Sequence, residues 1–260
     1  MTSAPRPRAR TRALTGTLAA FSLSFGMIMT SGATPANAAT WPTPTSSKPV
    51  SSTISVSGTR DGGMVRYYGS GALAGDGQEE GQEPIFKLAA GATLKNVIIG
   101  APGADGIHCE GNCTLQNVWW EDVGEDAATF RGGSTYTVTG GGAKKAADKV
   151  FQHNGPGTLN ISNFAVSDFK TLYRSCGDCS TQYTRKVNLN NIEVTGTGST
   201  ARLVGINKNR GDVATLRRIT ILNDSGRKVI PCQKYNNNSD AGKGPDSTNC
   251  LYSASDITYR

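Results

Sequence analysis

Histidine is nearly absent: His108 and His153 are the only two in 260 residues. So low a count excludes a histidine-rich metal centre, and His108, set between Ile107 and Cys109, reads as structural rather than catalytic. No G-x-S-x-G, P-loop or H-E-x-x-H motif occurs, which leaves serine-hydrolase, nucleotide-binding and zinc-peptidase readings without their usual residues. Helix signals are scarce too. Short β-branched runs alternate with clusters of Gly, Asn and Asp, and Gly alone supplies 32 residues. That is the pattern of strands and turns.

Long apolar runs are also missing. The stretch Leu14 to Met29 is interrupted by Thr, Ser and Gly, and falls short of the about 20 apolar residues of a membrane span. It follows Arg6, Arg8, Arg10 and Arg12 and precedes the small-x-small triplet Ala36-Asn37-Ala38, the layout of a cleaved secretory signal. The sequence therefore predicts a signal peptide over 1–38, a Pro/Ser/Thr-rich flexible lead-in over 39–50 and one domain over 51–260. The expected product is a secreted, extracellular monomer with no membrane partner. Four of the 27 basic residues and none of the 20 acidic ones precede Ala39, so the mature balance is only +3. That charge requires no nucleic acid and is compatible with an acidic polysaccharide partner.

Six cysteines remain, an even number in an exported chain, where disulfides are the default. Local pairing is expected: Cys109–Cys113, Cys176–Cys179 and Cys232–Cys250. A zinc site from His108, Cys109, Cys113, Cys176 and Cys179 has metal-like spacing and stands as the alternative.

The strand-like runs repeat. Asn96, Asn117, Gly140 and Asn163 mark bends at intervals of 21, 23 and 23 residues, and Asn191 follows after 28. A period in the low twenties built from strands indicates stacked coils. The expected fold is all-β, a single-stranded right-handed parallel β-helix in which equivalent asparagines form an amide ladder. A leucine-rich repeat would need an L-x-x-L-x-L frame that is missing, while a β-sandwich remains the structural alternative.

Two constellations carry chemistry. Glu121, Asp122, Glu125 and Asp126 crowd within WEDVGED, and Asp105 precedes Asp126 by 21 residues, about one coil. Carboxylates assembled from separate turns suit Ca²⁺, a hard cation that takes oxygen ligands, although a solvated acidic edge explains the pattern equally well. Gly124 permits a bend that lets Glu125 and Asp126 share a face. The acidic stretch GDGQEEGQEP, containing Glu80, lies upstream. Basic residues follow one coil later: Lys149 comes 23 residues after Asp126, and Arg174 another 25 residues on. Lys145, Arg131 and Lys170 are the expected substrate-binding cations nearby. Of Trp119 and Trp120, one is expected inward as core and the other outward as a sugar-stacking platform.

The segments PIFKLAAGATLKNVIIGAPGADGIHCEGNCTLQNVWWEDVGEDAATFRG, KAADKVFQ and LYRSCGDC closely resemble the secreted pectate lyases of polysaccharide lyase family 3. The likeness runs from about Gly75 to the C-terminus. It implies a small parallel β-helix that cleaves polygalacturonate by Ca²⁺-dependent β-elimination. It further implies Ca²⁺ ligands at Asp105, Asp122, Glu125 and Asp126, with Glu80 a further candidate, and Lys149 and Arg174 as base and basic partner. One departure stands out: relatives carry a Lys three residues before that Arg, where this chain has Thr171 and a Lys shifted to position 170. A pectin-cleaving glycoside hydrolase would instead need two carboxyl groups flanking the bond. A non-catalytic polysaccharide binder would need no base.

Overall fold

The computed structural model describes residues 1–4, 40–196 and 198–260. Apart from the exposed residues 1–4, the signal peptide expected over 1–38 lies outside the described residues. No helix among the described residues is long and apolar enough to cross a membrane. The unit Ala36–Arg260 is a parallel β-helix whose strands stack in three columns.

The first stack aligns residues 59–61, 93–95, 114–116, 137–139, 160–162, 188–190 and 215–217. Its inward row is aliphatic, Leu94, Leu115, Val138, Ile161, Leu189 and Leu216, all buried. The second stack carries Val97, Val118, Phe164, Ile192 and Ile219 inward. The third carries Phe86, Ile107, Ala128, Phe151, Tyr173, Val204 and Cys232, each with no exposed surface. Strands buried inward in every stack remove the sandwich alternative, which requires antiparallel pairing. Among the described residues the one antiparallel pair is Val229–Asn236 with Ser239–Lys243.

The corner between the first and second stacks recurs in a left-handed conformation. Asn96, Asn117, Gly140, Asn163 and Asn191 have φ of 53°, 54°, 68°, 54° and 58°, a region that Asn and Gly enter at least cost. The Asn117 amide donates to Asn96 Oδ1 at 2.9 Å, and Asn96 donates to Asp61 Oδ1 at 3.0 Å. Asn191 donates to Asn163 Oδ1 at 2.7 Å. Gly140 interrupts the ladder, and Asn117 Oδ1 accepts the Trp119 indole N–H at 2.7 Å.

The three expected disulfides are present, Cys109–Cys113, Cys176–Cys179 and Cys232–Cys250, so these thiols are not zinc ligands. The lead-in expected as flexible over 39–50 needs correcting in its second half. Ser47–Val50 is a strand paired in parallel with residues 66–69, where it satisfies the edge of the first coil. Trp41 packs edge-on against Trp119 with ring centroids 5.0 Å apart, and the Lys144 ammonium sits 4.2 Å from the Trp41 ring. Trp120 is core, while the outward Trp119 is covered by Trp41 rather than open as a platform.

Because the corner needs left-handed backbone, Asn191→Ala is expected to cost about 1–2 kcal/mol. Asn191→Gly, which keeps that conformation accessible, is expected to cost less. Urea unfolding of the two variants checks the order.

Candidate active site

The third stack places two neighbouring columns of side chains on its outer surface. Asp126 pairs with Lys149, Lys149 with Thr171, and Thr171 with Arg202. Asp105 extends this column by one coil, since it precedes Ile107 as Asp126 precedes its partner Ala128. The second column runs His108, Thr129, Gln152, Arg174 and Gly205. Register alone thus turns residues far apart in sequence into neighbours about 4.8 Å apart.

Ligand atoms of Asp105, Glu125 and Asp126 all lie within 4.8 Å of one another. Glu125 joins them because the coil below approaches closely at Gly124. A Cβ there would lie 2.0 Å from the Ala104 carbonyl oxygen, which also accepts the Glu125 N–H at 3.0 Å. All three carboxyl groups are buried. Burial pushes Asp105 up to about 7. Burial, reinforced by the neighbouring acids, also raises Glu125, and it raises Asp126 well above its ordinary value. Among the described residues, Asp105 Oδ1 and Asp126 Oδ1 have no hydrogen-bond partner. Buried acceptors without donors, under mutual repulsion, are the chemistry of a cation site.

Lys149 is the cation nearest this trio. Its Nζ lies 3.6 Å from Glu125 Oε1, 3.7 Å from Asp126 Oδ1 and 2.7 Å from Asp148 Oδ2. Burial pulls the ammonium down, but Asp126, Asp148 and Glu125 outweigh it and leave Lys149 above its ordinary value. One ammonium faces four surrounding carboxyl groups, and the three buried ones hold their protons more tightly than free acids.

The remaining expected residues separate. Asp122 does not join the trio; it pairs with Lys145 at 2.9 Å. Glu121, outside the expected ligand set, is held by Arg66, with Nε to Oε2 at 2.6 Å and Nη2 to Oε1 at 2.8 Å. Arg131 lies beside His108 Nε2, 3.1 Å away, and Glu110. Glu80, Lys149, Lys170 and Arg174 instead line a common cleft of about 380 Å³. Lys170 reaches it through a register shift between Phe169 and Thr171, which carries its Nζ to within 2.9 Å of Asp148 Oδ1. The same shift sets Thr171, rather than Leu172, beside Lys149 and sets Arg174 opposite Gln152 rather than Phe151. Arg174 stacks 4.1 Å from the Tyr235 ring and donates to Ser175 O, Asn207 Oδ1, Asn237 O and Asn238 Oδ1. Gly205 makes room for it: a Cβ there would meet Arg174 Cδ at 2.9 Å.

Residues 38–241 match the family model described as pectate lyase. The chain belongs to the pectate lyase family. It is 47% identical over 191 residues to the probable pectate lyase D of Emericella nidulans, covering 72% of this chain and 71% of that protein. It is 44% identical over 228 residues to pectate lyase E of the same organism, covering 83% of this chain and 85% of that one. Among solved structures it resembles the catalytic domain of pectate lyase PelI from Erwinia chrysanthemi. The TM-score is 0.67 at 34% identity, over 84% of this chain and 98% of that domain. A second PelI structure, in complex with tetragalacturonic acid, matches with a TM-score of 0.66 at 34% identity, over 84% of this chain and 71% of that one. The protein is accordingly a polysaccharide lyase.

Two residues of this pectate lyase site escape a reading of sequence. Asp148 adjoins Lys149, and simple alternation would put it on the opposite face; the strand irregularity beside it turns its carboxylate to both Lys149 and Lys170. Those two ammonium groups, their hydrogen bonds outweighing burial, hold Asp148 below its ordinary value. His108 Nε2 lies 2.6 Å from Asp105 Oδ2, and burial together with Arg131 lowers the imidazole to about 4. A neutral ring therefore braces Asp105.

The carboxyl shifts have a consequence for stability. Unfolded Asp105 ionises near 3.8 but the folded group only near 7, so across that window the native state holds the extra proton and stability falls as pH rises. In chelator, the melting temperature is expected to fall between about pH 4 and about pH 8. Asp105→Asn is expected to flatten that slope, as thermal melting in a pH series will read.

Proposed function

We propose that the lyase activity is calcium-dependent β-elimination of de-esterified polygalacturonate, giving 4,5-unsaturated oligogalacturonates, with Lys149 as the base. The observation that carries this reading is the position of Lys149, in ion-pair reach of Glu125 and Asp126 and open to a cleft shared with Arg174. Galacturonate as substrate is supported by the tetragalacturonic acid bound to the related PelI enzyme.

Asp105, Glu125 and Asp126 would hold the calcium ion, and their oxygen donors and unpartnered buried atoms fit it. When bound, the ion offsets the negative field of the trio and draws charge from a substrate carboxylate, which acidifies the adjacent C5 proton. Lys149 takes that C5 proton in its neutral form, the C5–H electrons form the C4=C5 double bond, and the C4–O bond breaks with its electron pair on the leaving oxygen, which gains a proton from water. Arg174 acts as a fixed positive charge at the cleft; burial lowers it from its ordinary value, but a guanidinium remains cationic. Lys170 and Asp148 complete the wall. Lys145 and Arg131, each tied to its own acid, contribute charge at the margins. Secretion is consistent with three disulfides.

Lys149→Ala is expected to lower kcat by about 10²–10⁴-fold, followed by the ultraviolet absorbance of the unsaturated product. A chelator is expected to abolish that signal, and calcium to restore it. Because Lys149 sits above its ordinary value and must be neutral to act, the rate is expected to climb through alkaline pH. New reducing ends without absorbance would overturn elimination in favour of hydrolysis, and binding without turnover would leave a non-catalytic lectin-like role.

A further inference from the structure

Every acid-paired or hydrogen-bonded cation in the cleft has its partners within the protein. Lys149 and Lys170 share Asp148, and Arg174 is held by five acceptors. Arg202 differs. It lines the same cleft from the strand Ala201–Asn207, and among the described residues it makes no hydrogen bond or ion pair. Its Nε is buried and unpartnered. In register its neighbours are Thr171 on one side and Ile230 on the other, neither able to neutralise it. A solvated surface arginine would keep its Nε in water, and a structural one would find a carbonyl or carboxylate. A guanidinium whose Nε has neither, and which lines an open cleft, is free to take an anionic partner.

We propose that Arg202 binds a carboxylate of the bound polygalacturonate, on the side of Lys149 away from the acidic trio, and so sets how tightly the cleft holds a de-esterified chain. The assignment rests on the reading of this cleft as the polygalacturonate site. Two strand spacings of about 4.8 Å separate the backbones of Lys149 and Arg202, so Arg202 meets a different sugar unit from the one that loses its proton. The column is then graded: carboxyl groups at Asp105 and Asp126, the base at Lys149, uncharged Thr171, and a free guanidinium at Arg202. Thr171 brings no charge of its own, and Arg202 supplies the cation one coil later. The planar fork of arginine matches a carboxylate through two parallel hydrogen bonds, whereas a methyl ester offers it no charge. Arg202 is therefore a specificity residue, not a group that takes part in proton transfer.

The test compares wild type with Arg202→Gln and Arg202→Lys on polygalacturonate and on highly methyl-esterified pectin, after melting curves establish that each is folded. Arg202→Gln is expected to raise KM on polygalacturonate by about tenfold or more with kcat changed much less, and Arg202→Lys to recover part of the loss. The ratio between wild type and Arg202→Gln is expected to shrink on the esterified substrate. In parallel, calorimetry measures tetragalacturonate binding to Lys149→Ala and to Lys149→Ala with Arg202→Gln, where no turnover intervenes; affinity is expected to drop by a similar factor. Unchanged KM and affinity, or an equal loss on esterified pectin, would overturn the role of Arg202. Absence of unsaturated product from wild type would instead overturn the elimination reading, and the binding arm would still report on Arg202.

Discussion

The left-handed corner repeated between the first and second stacks is the constraint on which the molecule depends. A slip of one residue in a strand sends every side chain to the opposite face, and a solenoid would accumulate such slips from coil to coil. Asn96, Asn117, Gly140, Asn163 and Asn191 pin the bend in five successive coils, and Arg218 holds the same corner in the next at φ 51°. Once the corner is set, Ile107, Ala128 and Phe151 must turn inward on the third stack. Asp105, Asp126 and Lys149, two residues earlier in the same coils, stack in one column beside them. The site is a by-product of register.

What that register assembles is electrostatically unfavourable by itself. Three buried carboxyl groups face one another with Lys149 as their shared ammonium, and two carboxylate oxygens lack any donor. Such an arrangement persists only on a rigid support. Here the support is the aromatic core directly beneath, where Phe130, Phe151, Phe164 and Trp120 make edge-on and tilted contacts with centroids 5.3–6.3 Å apart. Disulfides reinforce the flanks: Cys109–Cys113 closes the turn after His108, and Cys176–Cys179 closes the turn after Arg174. The Cys176 carbonyl accepts the Asn207 amide at 2.6 Å, and Asn207 in turn accepts from Arg174 at 3.0 Å. The second turn thereby fixes the arginine as well as the chain.

Much of this was legible in the chain. The corner asparagines announce their own period, the cysteines pair with near neighbours, and the interval from Asp105 to Asp126 equals one coil. Each of these is a short-range or strictly periodic signal. The failures share a different cause. Asp122 reads as a fourth member of the acidic group, but it is drawn off by Lys145 at the adjoining corner. Arg174 reads as the next step beyond Lys149, but Thr171 stands opposite Lys149 and Arg174 lies opposite Gln152, three residues further along the strand. Trp119 reads as an open platform, and Trp41 from the supposedly loose lead-in lies against it.

The sequence by itself determined the solenoid, its corner positions, its disulfides and the acidic and basic coils that face outward, because these follow from backbone preferences and from a repeat that strands impose locally. Only the tertiary structure decided which charges neutralise one another and which stay available. Asp148 is committed to two lysines, Asp122 to Lys145, and Arg202 to nothing among the described residues. Charge pairing depends on side-chain reach across coils and on a single register shift, and neither leaves a periodic mark in the order of residues.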